Sequence, residues 1–475
     1  MSKILKNTSL YTLGNVLPQL GGFILLPIYS HYLTPGDYGI VSSMQVLVAV
    51  FMLFFTLALD RSIYRLYFDY KTEKEKRDYL GTVTISMFLI SCIFLLLLFV
   101  FKEYVSLIYK NIDFHPYYSF AILTAFFTTF SIIPKIYFQV NEKAGKFVLI
   151  SISQFILNTS YLLWFIVFKT EGAAGMLKAN MLAAITLLPI LIYISIKIIN
   201  FTIDFQILKK SLFFSAPIIP GIITSWILSL SDRIFIERYI NLSEVGIYSV
   251  GSKISALILI LSSGFYLAYN PFFFKIASSE SQLKAKKKLA IYNNYFSIAI
   301  ISTVFIVIIF SKEVIYFLLD EKYFEAYKIV PIIGLGYLIS NITGIFNLMI
   351  YQEKKVIKLM WISIIAAPSN LLLNFILIPN FGINGAAVST LISFFIVFLL
   401  TWKTSKEYYY IPLKFKQLGL LFMTLMIIFI LFNYVFNLNM FNSLCLKILM
   451  VIVIVLILIK RYSDELRLII KNYKK

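Results

Sequence analysis

The sequence is short of acid. Its 475 residues hold 23 Asp and Glu against 43 Lys and Arg, and all charged residues together make up 14% of the chain. So thin a charged population excludes a fold that keeps its whole surface in water. Cysteine is nearly missing: Cys92 and Cys445 each sit inside an apolar run, which excludes a disulfide framework and any CxxC metal or redox motif. His31 and His115 are the only histidines, so no metal-ligand cluster is expected. No GxxxxGK[ST] loop is present, which removes ATP hydrolysis within the chain as an energy source. The polar loops are too short for a catalytic domain, and no pair of acids stands ready for sugar chemistry, so an enzyme is not expected. A cleavable leader is not expected either, because 9–30 is long enough to span and no small-x-small site follows it.

What fills the chain instead is apolar sequence. Hydrophobic residues are 60% of the total and mean hydropathy is +0.85. With about 20 apolar residues needed per crossing, the runs predict fourteen spans, from one near 8–30 to one near 442–459. The predicted fold class is an all-α polytopic membrane protein. Lys and Arg fall mostly in alternate loops, 71–77 and 284–288 among them. By the positive-inside rule both termini are cytoplasmic. That bias accounts for the net charge of +20 without nucleic acid, and it makes membrane lipid the partner of the basic loops.

The chain is also written twice. Thr34-Pro35-Gly36-Asp37-Tyr38-Gly39-Ile40 is echoed by Asn241-Leu242-Ser243-Glu244-Val245-Gly246-Ile247, each a polar turn ending in an acid, an apolar residue, Gly and Ile. Asn141-Glu142-Lys143 is echoed by Gln352-Glu353-Lys354, and the Gly172 hairpin by the Gly382 hairpin. Six spans per copy is an even number, so the repeat is parallel, about an axis along the membrane normal. The expected organisation is a six-helix bundle over 1–205, a second over 206–408, and two added helices with a basic tail over 409–475.

Polar residues inside spans are the functional candidates, since each ionisable group costs about 2.5–3.5 kcal/mol to insert. Span one carries Asn15, Gln19 and Gly22 on one face. Span seven, broken by Pro217 and Pro220, carries Gly221, Ser225, Ser229 and Asp232. These two helices are expected to line a cleft between the bundles; small or polar packing contacts are the alternative. Arg61 and Arg65 lie four apart with Asp60 and Asp69 in reach, either as functional cations or as ordinary positive-inside anchors. Lys178 and Lys253 enter spans six and eight. Arg233 and Glu237 are spaced to pair, and Asp232 is the single candidate for an H+ or Na+ site. Lys328 and Lys447 read as boundary and edge residues.

These strings, in this order, resemble the polysaccharide-exporting Wzx-type branch of the multidrug/oligosaccharidyl-lipid/polysaccharide (MOP) flippase superfamily. The resemblance rests on Asn7-Thr8-Ser9 to Pro18, Tyr32 to Gly39, Leu59-Asp60-Arg61 to Tyr67, Ser231-Asp232-Arg233, Val245 to Ser249, and Gly382 to Ala387. It implies movement of an undecaprenyl-diphosphate-linked oligosaccharide from the cytoplasmic to the outer leaflet of a bacterial inner membrane, for O-antigen or capsule assembly. A polysaccharide polymerase and chain-length proteins are the implied downstream partners. No cofactor is implied; coupling to H+ or Na+ is left open. Arg61 and Arg65 would then meet the diphosphate on the cytoplasmic side, and Lys178, Lys253 and Arg233 would receive it on the other. A lipid II flippase and a cation-coupled drug exporter are the alternatives within the superfamily, a membrane glycosyltransferase the alternative outside it.

Overall fold

The computed structural model describes residues 3–279, 281–436, 439–454 and 456. Helices account for the architecture. Twelve of them are long and apolar enough to cross a membrane: α1 (Leu10–Tyr32), α2 (Pro35–Thr56), α3 (Glu73–Val100), α4 (Phe114–Val140), α5 (Ala144–Phe168), α6 (Gly172–Ile198), α7 (Phe205–Leu230), α8 (Leu242–Ser278), α9 (Gln282–Ile309), α10 (Val330–Gln352), the helix Val356–Tyr408, and one more, Phe415–Asn433. The 53-residue helix Val356–Tyr408 is two helices. At Gly382 (φ 60°, ψ −143°) the backbone leaves the helical region, and Asn370 on one side donates to Ser389 and Ser393 on the other. The chain reverses there into α11 (356–381) and α12 (383–408). With α13 (Phe415–Asn433) and the shorter α14 (Met440–Ile454), the fourteen expected segments are present.

The repeated strings coincide with repeated local geometry. Thr34 caps α2: its hydroxyl accepts from the Asp37 N–H while the Asp37 carboxylate accepts from the Thr34 N–H. Asn241 caps α8 in the same way, accepting from the Glu244 N–H. Glu142 and Lys354 both take positive φ, 53° and 56°, after α4 and α10, and Gly172 and Gly382 take φ of 58° and 60° in the matching hairpins. The polar turns of the sequence are thus helix starts and stops, placed alike in both bundles.

Call the end that carries the Lys71–Arg77, Lys143–Lys146 and Lys354–Lys358 turns the basic end. At the opposite end the bundles are shut against each other. A Cβ on Gly39 would stand 1.9 Å from the Leu242 carbonyl oxygen, and one on Gly246 would stand 1.9 Å from that of Pro35, so α2 and α8 touch through their backbones. Around this contact Tyr323 donates to the Leu33 carbonyl (3.1 Å), the Asp320 N–H to Ser30 (3.2 Å) and Lys322 to the His31 carbonyl (3.2 Å). An apolar core runs through the seam, joining Met44, Phe55 and Tyr109 of the first bundle with Val250, Ile254 and Val330 of the second.

Span seven is broken as its prolines require. Its first piece, Phe205–Ser215, lies on the first bundle, where Ser215 donates to the Ala58 carbonyl and Lys210 pairs with Asp69. A short 3-10 turn over Ala216–Ile218 redirects the chain, and Ile219–Leu230 meets both α2, through Trp226 to the Val46 carbonyl, and α11, through Thr224 to the Ser363 carbonyl.

One expectation is overturned. Lys447 is no edge residue: it is fully buried, donating to Glu313 (2.7 Å), Asn433 and the Ile309 carbonyl. Glu313 is 1% exposed and takes a further bond from Ser443. The basic group on α14 is drawn inward to an acid on the short helix Ser311–Leu318 that follows α9, and the pair fastens the added helices to the second bundle.

Candidate functional site: a polar cavity within the first bundle

A cavity of about 670 Å³ opens among six elements of the first bundle, with no lining residue from the second among the described residues. From α1 come Gly14, Pro18, Gly22, Leu25 and Tyr29, a line one or two turns apart in which small residues replace bulk. The short helix Leu59–Leu66 adds Asp60, Arg61 and Tyr64 at the basic end. The α4 segment contributes Thr124, Thr128, Ser131, Lys135 and Gln139; α5 and α6 face it with Ser151, Gln154, Asn158 and Asn180. Hydroxyls and amides therefore dominate one wall. Asn158 donates to Asn180 (2.6 Å) and Tyr64 to Gln139, so several of these groups are held in place by one another.

Its electrostatics are set by few groups. Arg61 Nε lies 3.2 Å from Asp60, the one acid among the described lining residues. Burial pushes the Asp60 carboxyl above the usual carboxylate range, and the Arg61 charge beside it offsets part of that. Lys135 has no carboxylate partner among the described residues; its ammonium donates to the Gln154 side-chain oxygen at 2.7 Å. With Asp60 and Arg61 cancelling, Lys135 leaves the cavity one positive charge in excess. Such a chamber, polar-walled and cationic, fits an anionic, hydroxyl-rich ligand.

The sequence candidates separate on this map. Arg61 and Gly22 line the cavity. Lys253 reaches its wall from the second bundle: the ammonium donates to the Tyr38 hydroxyl (3.2 Å) and lies over the Tyr29 and Tyr38 rings, and a Cβ on Gly22 would stand 3.4 Å from it. Arg65 is exposed and held by Asp69 at 2.6 Å. Lys178 pairs with Glu171 (3.2 Å) over the Phe165 ring. Arg233 and Asp232 are both buried and bind each other (2.8 Å), with the Tyr248 hydroxyl donating to the second Asp232 oxygen. The expected Arg233–Glu237 bridge is replaced by this neighbouring pair, because Asp232 is the nearer acid, and Glu237 accepts from Asn111 instead. Gln19, Ser225 and Ser229 are exposed and outside the cavity lining; Asn15 lies outside the residues whose side chains are described.

The expected cleft between spans one and seven is thus not where this chamber sits: span one lines it, span seven does not. Lys135 was missed because it falls near the turn before Asn141, where it reads as another basic-loop residue. Its helical spacing to Ser131, Thr128 and Thr124, three or four positions apart each, was the available signal.

Behind span seven, Ser231, Asn370, Asn374, Ser389 and Ser393 form a fully buried hydrogen-bond network in the second bundle. Each amide finds partners on the facing arm, which fixes the register of α11 on α12.

Known structures share this fold. The chain aligns over 96% of its length, and 99% of the other chain, with a lipid II flippase, MurJ, in an inward closed conformation, at 17% identity and a TM-score of 0.68. A MATE family transporter of the MOP superfamily in an inward-facing conformation aligns over 86% of this chain and 95% of its own at 13% identity and a TM-score of 0.60. A Vibrio cholerae MATE transporter, VcmN, aligns over 85% and 96% at 14% identity and a TM-score of 0.58. No curated protein sequence matches significantly. The MatE family profile matches residues 217–376. The polysaccharide biosynthesis protein profile matches residues 4–277, more than half of the chain, with the whole cavity inside the match, and the chain belongs to that family.

Proposed function

We propose that this protein is a flippase for a lipid-linked oligosaccharide, moving undecaprenyl-diphosphate-linked repeat units from the cytoplasmic to the outer leaflet by alternating access. The observation that carries the reading is the cavity itself, polar-walled, with an unneutralised lysine and closed at the end remote from the basic loops. Placing the basic end in the cytoplasm follows the positive-inside bias. The diphosphate enters there and is met by Lys135 and Arg61, whose fork suits phosphate oxygens. The sugars lie against Asn158, Asn180 and the α4 hydroxyls. Lys253, caged by two tyrosines beyond Gly22, is the cation next in line toward the outer side. Arg65, Lys178, Arg233 and Asp232 hold oppositely charged partners and stand outside the cavity lining, which makes them supports rather than contacts. A drug exporter for organic cations is disfavoured by the excess positive charge.

Proteoliposomes loaded with an undecaprenyl-diphosphate-linked oligosaccharide test this. The sugar should become accessible on the far leaflet in the presence of the protein, and Lys135→Met or Arg61→Met should slow its appearance at least tenfold. Transport of lipid II with the oligosaccharide refused would move the assignment to peptidoglycan precursor; export of a cationic dye with neither lipid moved would overturn it.

A further inference from the structure

A second cavity lies on the other side of α4. It has a volume of about 360 Å³ and runs as a groove between α3, α4 and α6, with Ile85, Phe88, Phe130, Ile133, Ile192 and Ile196 in its lining. On α4 the polar cavity takes Thr124, Thr128, Ser131 and Lys135, and the groove takes Thr129, Phe130 and Ile133 from the opposite face. The groove suits hydrocarbon. Thr84 and Thr129 donate to the carbonyls of Leu80 and Phe126 on their own helices, so neither hydroxyl offers a free donor to it. Phe88 meets Phe130 edge-on at 5.8 Å, and Phe88, Ile192 and Ile196 are exposed within spans whose surrounding solvent is lipid. At the basic end the groove is shut by backbone: a Cβ on Gly81 would stand 1.8 Å from the Asn200 carbonyl oxygen, and the Asn200 N–H donates to the Arg77 carbonyl (3.1 Å). A ligand therefore enters sideways, from the bilayer.

We propose that this groove holds one anionic phospholipid of the leaflet at the basic end, with an acyl chain between α3 and α6 and its phosphate on Arg77 and Lys197. Filled, the groove backs the wall that carries Lys135.

Depth and charge select this occupant. Arg77, Gly81, Thr84, Ile85 and Phe88 follow one another at helical spacing along one face of α3. At 1.5 Å per residue, Thr84 to Phe88 lie about 10–17 Å from Arg77, which is the depth of one leaflet in a hydrocarbon core about 30 Å thick. The cations stand at the rim of that leaflet. Arg77 is exposed and donates to the Lys197 and Ile199 carbonyls (3.1 and 3.4 Å), and Lys197 is exposed over the Tyr193 ring (4.2 Å). Neither has a carboxylate partner among the described residues, and the acids beside them are occupied: Asp78 accepts from the Asn200 side-chain amide (2.7 Å), and Asp204 caps the helix Phe205–Ser215. Two uncompensated cations above an apolar slot match a phosphate above an acyl chain. The tail of the transported lipid fits less well, because α4 stands between the groove and the cations Lys135 and Arg61 that would hold its diphosphate.

Native mass spectrometry of the full chain in detergent, titrated with dioleoyl phosphatidylglycerol or dioleoyl phosphatidylcholine, reads the site. One phosphatidylglycerol adduct should saturate at a concentration at least tenfold below that needed for phosphatidylcholine. Ile196→Trp, which fills the groove, should raise that concentration at least tenfold, and Lys197→Gln should cut the preference between the two lipids to threefold or less. Lys146→Gln, which changes an exposed lysine of the basic end outside the groove lining, should alter neither value. Equal uptake of the two lipids, tight uptake that survives Ile196→Trp, or a loss in Lys146→Gln as large as that in Lys197→Gln overturns the proposal. Displacement of the bound phosphatidylglycerol by an equimolar polyprenyl diphosphate gives the groove to that lipid's tail and overturns it too. If Ile196→Trp does not assemble, the exposed pair Lys197→Gln and Lys146→Gln decides the matter by the same criteria. Because no transport is measured, failure here leaves the flippase reading intact, and failure of that reading leaves the lipid site standing.

Discussion

Gly39 and Gly246 meet backbone to backbone at the closed end, each where the other's helix would collide with a side chain: the nearest carbonyl oxygen is 1.9 Å from either built Cβ. The same two residues are the ones that the internal repeat superimposes, so the pseudo-two-fold axis passes through the place where the copies touch.

This contact makes the closed state sensitive to one methyl group. Gly39→Ala or Gly246→Ala forces α2 and α8 apart, since no flexible side chain is there to yield. The ends opposite the basic loops should separate in a label-to-label distance measurement, and lipid-linked oligosaccharide transport should fall at least tenfold. An unchanged distance in both variants would refute the tight contact.

The excess charge in the cavity gives a binding prediction. Charge-assisted hydrogen bonds contribute about 1.5–3 kcal/mol, so Lys135→Met should weaken binding of a polyprenyl diphosphate diester by roughly ten- to hundredfold, measured by calorimetry or fluorescence. Lys135→Arg should retain most of the affinity. Arg65→Met, whose partner is Asp69 outside the lining, should change it little.

Asp60 gives a pH dependence with a definite sign. Burial raises its pKa, so as pH falls from 7 toward 5 it takes up a proton earlier than an ordinary carboxyl and releases Arg61. A diphosphate diester does not titrate in that window, so its affinity should rise as pH falls. Asp60→Asn should bind tightly throughout, with the slope flattened.

The Lys447–Glu313 pair is a stability element. Removing one member leaves the other charge buried, which costs about 3–5 kcal/mol. Lys447→Met should lower the thermal midpoint in detergent markedly, and the double change Lys447→Met with Glu313→Leu should recover most of it. A single variant as stable as wild type would show that α14 is not held by this bond.

Much of this was legible in the chain because membrane insertion writes itself locally. Span count follows from runs of apolar residues, and helix ends follow from Thr34 with Asp37 and from Asn241 with Glu244, whose side chains cap the helices that begin there. The repeat was legible for the same reason, since Gly172 and Gly382 serve the same backbone need in both copies. Charge partners were harder. Arg233 sits beside Asp232 and four residues before Glu237, and spacing alone does not say which acid lies within reach. Lys447 looked peripheral because its acid, Glu313, is far away in sequence.

Sequence by itself therefore determined an all-helical chain of fourteen segments in two related bundles, for these features depend on residues a few positions apart and on the absence of water in the bilayer. Only the tertiary structure decided that the chamber lies inside the first bundle, that Lys135 lines it with no carboxylate partner among the described residues, and that Glu237 reaches across to Asn111. Those are contacts between residues up to 126 positions apart, and which face of one helix meets which face of another is settled by packing, as with two glycines that let α2 and α8 touch.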